Sequence, residues 1–414
     1  MTVAPPPAGL PGEGVEGRAG GAGGVEGRGQ RRAGGHLGAV DVMRFVTVAG
    51  VIAVHTTSLS APRSSLTAGG VLAVLHVTRS VFLFLSAFVL TYSFERRPLP
   101  PRAFWRRRYP LVAAPYVAWS AIYVLTDGNL HRGAAFVVEH FLLDLTDGGA
   151  HFHLYFLLLT FQLYLVFPAL IGWLRRHRSA HAPLLGASVA FQLLFTAGAH
   201  YGWRPPALGI WFSHAGSWLP SYELYVVGGI LAALHFEQVT AWTRAHGRAI
   251  GAAYFLSVAL AELSYVVDMR VLGFSPIRAG QVFQPTVTVE AVAATLALYA
   301  LGLSVTERVG QRRRRMLERS ADVSFGVYLA HPLLVGSILD VAAASGLSAA
   351  VGYLPGGLVE ALAVFAMVPA VYYATFWGVD LLRRTPASLW LTGRRGPRPT
   401  PAPLSTPAPS APVV

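Results

Sequence analysis

The sequence predicts an all-α fold: a polytopic membrane helix bundle of about ten spans with both termini cytoplasmic. Three observations carry this reading: an apolar composition, ten long apolar segments, and arginines concentrated in alternate loops. The chain has 414 residues, of which 53% are hydrophobic and 13% charged, with a mean hydropathy of +0.48. Soluble domains carry about 25% charged residues, so this chain asks for lipid as its solvent. An ordinary cytosolic enzyme is excluded, and so is a fully disordered chain, which needs low hydrophobicity.

Residues 1–38 hold the Gly-rich stretch GEGVEGRAGGAGGVEGRGQRRAGGH. It cannot bury a core and reads as a disordered cytoplasmic tail, without the apolar core and cleavage site of a secretory signal. Residues 386–414 are Pro-rich and read as a second disordered cytoplasmic tail. The transmembrane domain is expected over 39–385. A spanning helix needs about 20 mostly apolar residues. Ten segments qualify: 40–60, 68–94, 110–126, 153–174, 182–200, 217–235, 248–269, 285–306, 321–343 and 356–382. The stretch 132–145 is shorter and holds Glu139, His140 and Asp144, so it reads as an interfacial helix.

Charge placement tests the count. With the N-terminus inside, the inner loops carry 17 arginines and the outer loops five: Arg63, Arg132, Arg204, Arg270 and Arg278. This is the positive-inside asymmetry, and removing one helix would invert every later loop. All 33 basic residues are Arg, giving a net charge of +13. The charge falls in short runs between apolar segments, so the partner is a lipid bilayer and not nucleic acid. The chain has no cysteine, which excludes disulfides, thiolate metal sites and a cysteine nucleophile. Walker, G-x-S-x-G and H-E-x-x-H signatures are missing. No internal repeat is evident, which disfavours inverted-repeat transporters.

Ionisable groups inside a bilayer cost roughly 2.5–3.5 kcal/mol at a helix centre and mark functional candidates. Arg44 and His55 share the first span, eleven residues apart. That is about three turns, within ~20° of one face and ~16 Å along the axis. One face thus carries a fixed cation at the inner mouth and a titratable base past mid-membrane. The plainer alternative makes Arg44 a topology anchor and His55 a helix contact. Arg79, mid-way along the second span, is hard to explain as an anchor and needs a wet cavity or a partner. His76 lies one turn earlier, and Ser86 two turns later, where packing is the commoner role for serine. Arg106, Arg107 and Arg108 read as a topology signal or as phosphate ligands. His151 and His153 form an H-x-H pair, but no third ligand lies at a regular spacing, so no metal site is expected. His331 precedes Pro332 inside the ninth span, where a histidine can satisfy backbone groups that proline frees.

In order along the chain, DVMRFVTVAGVIAVH, VFLFLSAFVL, FWRRRYPLVAAPYVAWS, HLYFLLLTFQLYLVFP and SFGVYLAHPLL resemble blocks of the acyltransferase 3 family of integral-membrane O-acyltransferases. The blocks span about 40 to 335. Two positions depart from the family pattern: Ala87 stands for the usual Gly and Tyr155 for the usual Trp. The resemblance implies about ten helices in the cell membrane. It also implies transfer of an acyl group, acetyl foremost, from cytoplasmic acyl-CoA to a hydroxyl of a glycan, lipid-linked sugar or natural product. Acyl-CoA is then the donor substrate, with no tightly bound cofactor. His55, Arg44 and Arg79 are the implied catalytic residues. Arg108, His153, Ser86 and His331 complete the implied substrate-binding set. His55 would act as base or acyl carrier, Arg44 and Arg108 would hold the CoA phosphates, and Arg79 would stabilise an oxyanion. An extended pantetheine arm, roughly 15–20 Å by chain geometry, matches the ~16 Å rise from Arg44 to His55. The competing reading is a multi-pass transporter or flippase whose substrate path is lined by these groups.

Overall fold

The computed structural model describes residues 37–351 and 353–396. Among them there is no strand. The helices in chain order are α1 (Gly38–Ser60), α2 (Leu66–Leu75), α3 (Val77–Arg96), α4 (Pro101–Arg108), α5 (Pro110–Thr126), α6 (Ala134–Asp147), α7 (Tyr155–Arg176), α8 (His181–Tyr201), α9 (Gly209–His214) and α10 (Glu223–Leu234). They continue with α11 (Phe236–Ala245), α12 (Gly247–Arg270), α13 (Pro276–Ala279), α14 (Pro285–Arg308), α15 (Gln311–Ala344), α16 (Leu347–Val351), α17 (Gly356–Leu362), α18 (Val368–Leu382) and α19 (Ser388–Thr392).

Nine helical stretches among the described residues are long and apolar enough to cross a bilayer. A tenth forms if Leu219–Leu234 and Phe236–Ala245, bent by 96°, count as one span. The fold is therefore the polytopic helix bundle that composition and periodicity predict. The expected spans fall on these helices, but the third reaches back through Pro101. The sixth stops at Leu234, where α11 turns aside. The stretch expected at the interface is α6, and its Val138, Leu142 and Leu143 are exposed as an apolar face.

The two ends of the bundle differ in charge. Arg175 pairs with Glu95 at 3.2 Å, Arg244 with Glu307 at 3.1 Å, Arg319 with Asp380 at 3.1 Å, and Arg394 with Asp322 at 3.0 Å. Each pair ties together helix ends at the same Arg-rich face. Arg44, near the start of α1, and Arg394, after α19, line one cavity. The described chain thus starts and finishes at the same face, as an even number of crossings requires. Structure continues beyond the expected domain edge at 385: Trp119 Nε1 donates to Leu391 O at 3.0 Å, holding α19 against α5. The Gly-rich tail and the part of the Pro-rich tail after 396 lie outside the described residues.

α1 runs through the middle of the bundle, packed on α2, α3, α14, α15 and α18. Its Val48, Ile52 and Ala53 interlock with Val323, Val327 and Val335 of α15 and with Val371 and Tyr372 of α18. Inside a bilayer every polar group must find an internal partner. Three buried threonines do so within their own helices: Thr47 donates to Met43 O at 2.7 Å, Thr91 to Ala87 O at 2.8 Å, and Thr375 to Val371 O at 2.6 Å. Prolines pose a harder problem, because each leaves the carbonyl four residues earlier without its donor. Pro168 in α7 frees Tyr164 O, which receives Trp105 Nε1 at 2.8 Å. Pro332 in α15 frees Tyr328 O, which receives His331 Nδ1 at 2.7 Å. The first repair clamps α4, with its four arginines, to α7. The second fixes the imidazole of His331.

α3 meets α10 through Gly229, where an added Cβ would strike Phe84 O and the Ala87 side chain. At neighbouring Gly228 it would meet only the Phe84 ring at an ordinary 3.8 Å. Gly229→Leu should therefore destabilise the detergent-solubilised protein by about 1–3 kcal/mol, the usual range for overpacking. Gly228→Ala should leave Tm nearly unchanged. Equal Tm for both variants would contradict this packing.

Candidate functional site

Three cavities lie in series through the bundle. The inner one, about 210 Å³, opens at the Arg-rich face and is lined by Arg44, Ser86, Arg108, Tyr164, Asp322 and Arg394 among others. Three guanidinium groups there face one lining carboxylate, Asp322, which already pairs with Arg394. α1 supplies Arg44, and the Trp105 clamp holds the end of α4 that bears Arg108. Gly393 permits Arg394 to reach the cavity: its φ is +66°, and a Cβ would strike the Phe325 ring and Leu111 O. Ser86 lines this cavity, but its hydroxyl donates to Phe82 O at 2.8 Å within α3.

The central cavity is only about 40 Å³ and is lined by His55, His76, Arg79, His153, Tyr155 and the rings below. It has room for a few waters. Phe82, Phe156 and Tyr328 line both this cavity and the inner one. Their ring centroids lie 5.1–5.8 Å apart, so they form a three-ring constriction between the two. Arg44 and His55 thus look into one path, from opposite sides of a narrow neck.

His55 sits between two rings, with Phe152 at 4.5 Å and His331 stacked at 5.2 Å and 28°. A carbonyl oxygen only accepts, so the His331 contact with Tyr328 O puts the proton on Nδ1. Its Nε2 is then a bare acceptor, buried and without a hydrogen-bond partner among the described residues. His153 lies 5.6 Å from His331 and 6.5 Å from His55 by ring centroids. Its Nδ1 is 3.1 Å from that of His151, and the Tyr328 hydroxyl donates to its carbonyl at 2.5 Å. Histidine clustering does not amount to a metal centre: no group of three or more candidate ligands among the described residues could hold one.

Arg79 projects from the first turn of α3, just after the break at His76. Its Nη1 donates to the Tyr222 hydroxyl at 3.0 Å, and its guanidinium lies 5.0 Å from the Tyr155 ring centroid. It makes no ion pair with a carboxylate among the described residues. The remaining donors of its five can therefore serve an anion or a polarised carbonyl in the central cavity.

The outer cavity, about 540 Å³, lies beyond His76, which lines both it and the centre. Thr57, Ser58, Arg63, Ser65 and Gln281 give it a polar wall. The Thr57 hydroxyl is buried without a partner among the described residues. A basic inner cavity, a small central chamber holding an imidazole and a guanidinium, and a polar outer cavity together suit group transfer between substrates arriving from opposite sides.

Residues 37–378 match the model of a family described as an acyltransferase domain, Acyl_transf_3. The chain belongs to the acyltransferase 3 family. No curated protein and no solved structure matched the chain. It is a membrane acyltransferase, and the seven residues that the resemblance implied lie on or beside these cavities. Arg44, Ser86 and Arg108 line the inner cavity, His55, Arg79 and His153 line the centre, and His331 stacks on His55. Sequence reasoning missed Tyr222, Tyr328, Phe82, Phe156 and Arg394. The signal for Tyr155 was present as the departure from Trp, and it proves to be the ring beneath Arg79.

His151 lies at the edge of this acyltransferase's chamber, before α7 begins. Burial holds its imidazole below the usual range, with Asp127 pulling the other way. The unfolded chain therefore takes up this proton first as pH falls, so the contribution of His151 is complete above the unfolded value of about 6.5 and is lost below it. Between pH 7.5 and 5.5 the wild-type Tm should fall more steeply than that of His151→Phe. Parallel Tm curves would contradict the assignment.

Proposed function

We propose that this membrane acyltransferase takes an acyl group, acetyl foremost, from cytoplasmic acyl-CoA. It places the group on a hydroxyl of a glycan, lipid-linked sugar or natural product presented from the outer cavity, across the cell membrane. The observation that carries the reading is the position of Arg79 and His55 in one chamber between a basic inner cavity and a polar outer one. Arg44, Arg108 and Arg394 hold the phosphates of CoA, which guanidinium forks suit. The pantetheine arm passes the Phe82–Phe156–Tyr328 neck and delivers the thioester carbonyl to Arg79.

In the transfer, His55 removes the proton of the acceptor hydroxyl as the oxygen attacks the thioester carbon. The charge developing on the carbonyl oxygen is met by Arg79, which Tyr222 and Tyr155 hold in place. The C–S bond then breaks, and the thiolate receives the proton carried by His55. One thioester and one alcohol become one ester and one thiol, with no net proton released. His331, stacked on His55, holds the plane of its imidazole. The flippase reading needs a wider passage. A centre of about 40 Å³ is far below the ~300 Å³ of even a small ligand site, which favours a chamber sized for reacting atoms.

The test compares cells producing wild type or His55→Ala, by mass spectrometry of glycans and secreted metabolites, with thiol release from acetyl-CoA measured on purified protein. His55→Ala should lose the acyl mass increment and lower turnover by about 10²-fold or more. Retained acylation would reject the proposal. Arg44→Ala should raise KM for acetyl-CoA several-fold with kcat little changed, and unchanged KM would reject its phosphate role.

A further inference from the structure

A fourth cavity lies outside this path and is larger than any part of it, about 670 Å³. It is a cleft bounded by α3, α8, α10 and α14, with Leu85 in the wall between it and the inner cavity. Its polar lining is concentrated at one end. There Arg178, His181, His235 and Gln238 form a rim, where α11 turns off at 96° at the Arg-rich face. The rest is a shaft of Phe84, Phe88, Leu185, Leu224 and Val292. Two hydroxyls on the α14 side are already used, Thr295 on Ala291 O and Tyr299 on Thr240, both at 2.7 Å. The shaft therefore offers an occupant almost nothing but apolar contact.

Depth and charge identify the occupant. From His181 to Val189 along α8 the cleft rises ~12 Å, and from His235 to Leu224 along α10 ~16 Å. This is about half of the ~30 Å hydrocarbon thickness, the depth of one acyl chain in one leaflet. No carboxylate among the described residues lines the cleft. Arg175 nearby is paired with Glu95, but Arg178 makes no ion pair among the described residues. The rim is also ordered. His181 Nε2 lies 2.9 Å from Leu174 O and so donates to it. Its Nδ1 then accepts from His235 Nε2 at 2.8 Å, and His235 Nδ1 meets the Gln238 side chain at 2.9 Å. The chain of contacts consumes the inward donors of the histidines and leaves Arg178 as the fixed cation at the mouth.

We propose that this cleft is a binding site for one anionic phospholipid of the cytoplasmic leaflet, with its phosphate at Arg178 and one acyl chain in the shaft. The lipid fills space between α3 and α8, and so backs the helix that carries Arg79. The site is independent of the acyl-transfer reading and stands or falls separately.

The test is native mass spectrometry of the full-length protein, delipidated and titrated with phosphatidylglycerol or phosphatidylcholine. Wild type should retain one phosphatidylglycerol and bind it about fivefold or more tightly than phosphatidylcholine, as one Arg–headgroup charge contact implies. Arg178→Gln, on an exposed side chain, should erase the preference while keeping apolar binding. Gly228→Phe, which projects into the shaft, should abolish retention of both lipids. Equal affinity of wild type for the two lipids would overturn the proposal, as would an unchanged preference in Arg178→Gln or undiminished retention in Gly228→Phe.

Discussion

A guanidinium placed inside an apolar bundle must be solvated by something, and around Arg79 the bundle supplies phenol and ring rather than carboxylate. Tyr222 takes one donor and the Tyr155 face takes part of the charge. A carboxylate partner would neutralise the group and end its interest in a substrate. A hydroxyl and a π face stabilise the cation while leaving its field directed into the chamber. In a site of low dielectric that field acts strongly on a developing oxyanion. The positions of α3, α7 and α10 around the chamber make this solvation possible.

The same economy of polar groups builds the rest of the site. Pro332 removes one donor from α15, and His331 replaces it, which fixes its tautomer and its stacking on His55. Pro168 does likewise in α7, and Trp105 answers it from α4, anchoring the helix that ends in Arg108. Backbone repair and side-chain positioning are here one interaction. The plainer reading of His331, a histidine that satisfies a carbonyl freed by proline, and its place beside His55 are therefore compatible.

Most of the fold was legible because bilayer constraints act locally. Length, hydropathy and arginine placement located the crossings, and the expected end of the sixth span at 235 falls at the bend before the polar α11. Helical period put Arg44 and His55 on one face, and the improbability of a mid-span arginine marked Arg79. What could not be read were contacts between distant segments. Tyr222 is 143 residues from Arg79, and no periodicity connects them. The neck of Phe82, Phe156 and Tyr328 looks in sequence like any aromatic packing. Arg394 sits beyond the expected end of the domain, in a stretch whose prolines masked a short helix docked on Trp119.

The central claim is that His55 and Arg79 act on one transition state in one chamber. A double-mutant cycle measures this directly, using acetyl-CoA turnover by purified His55→Ala, Arg79→Gln and the double variant with a fixed acceptor extract. Groups that serve the same transition state lose their effects non-additively. The double variant should be little slower than the slower single variant. Losses that multiply, each variant reducing turnover by its full factor irrespective of the other, would show that the two side chains work apart.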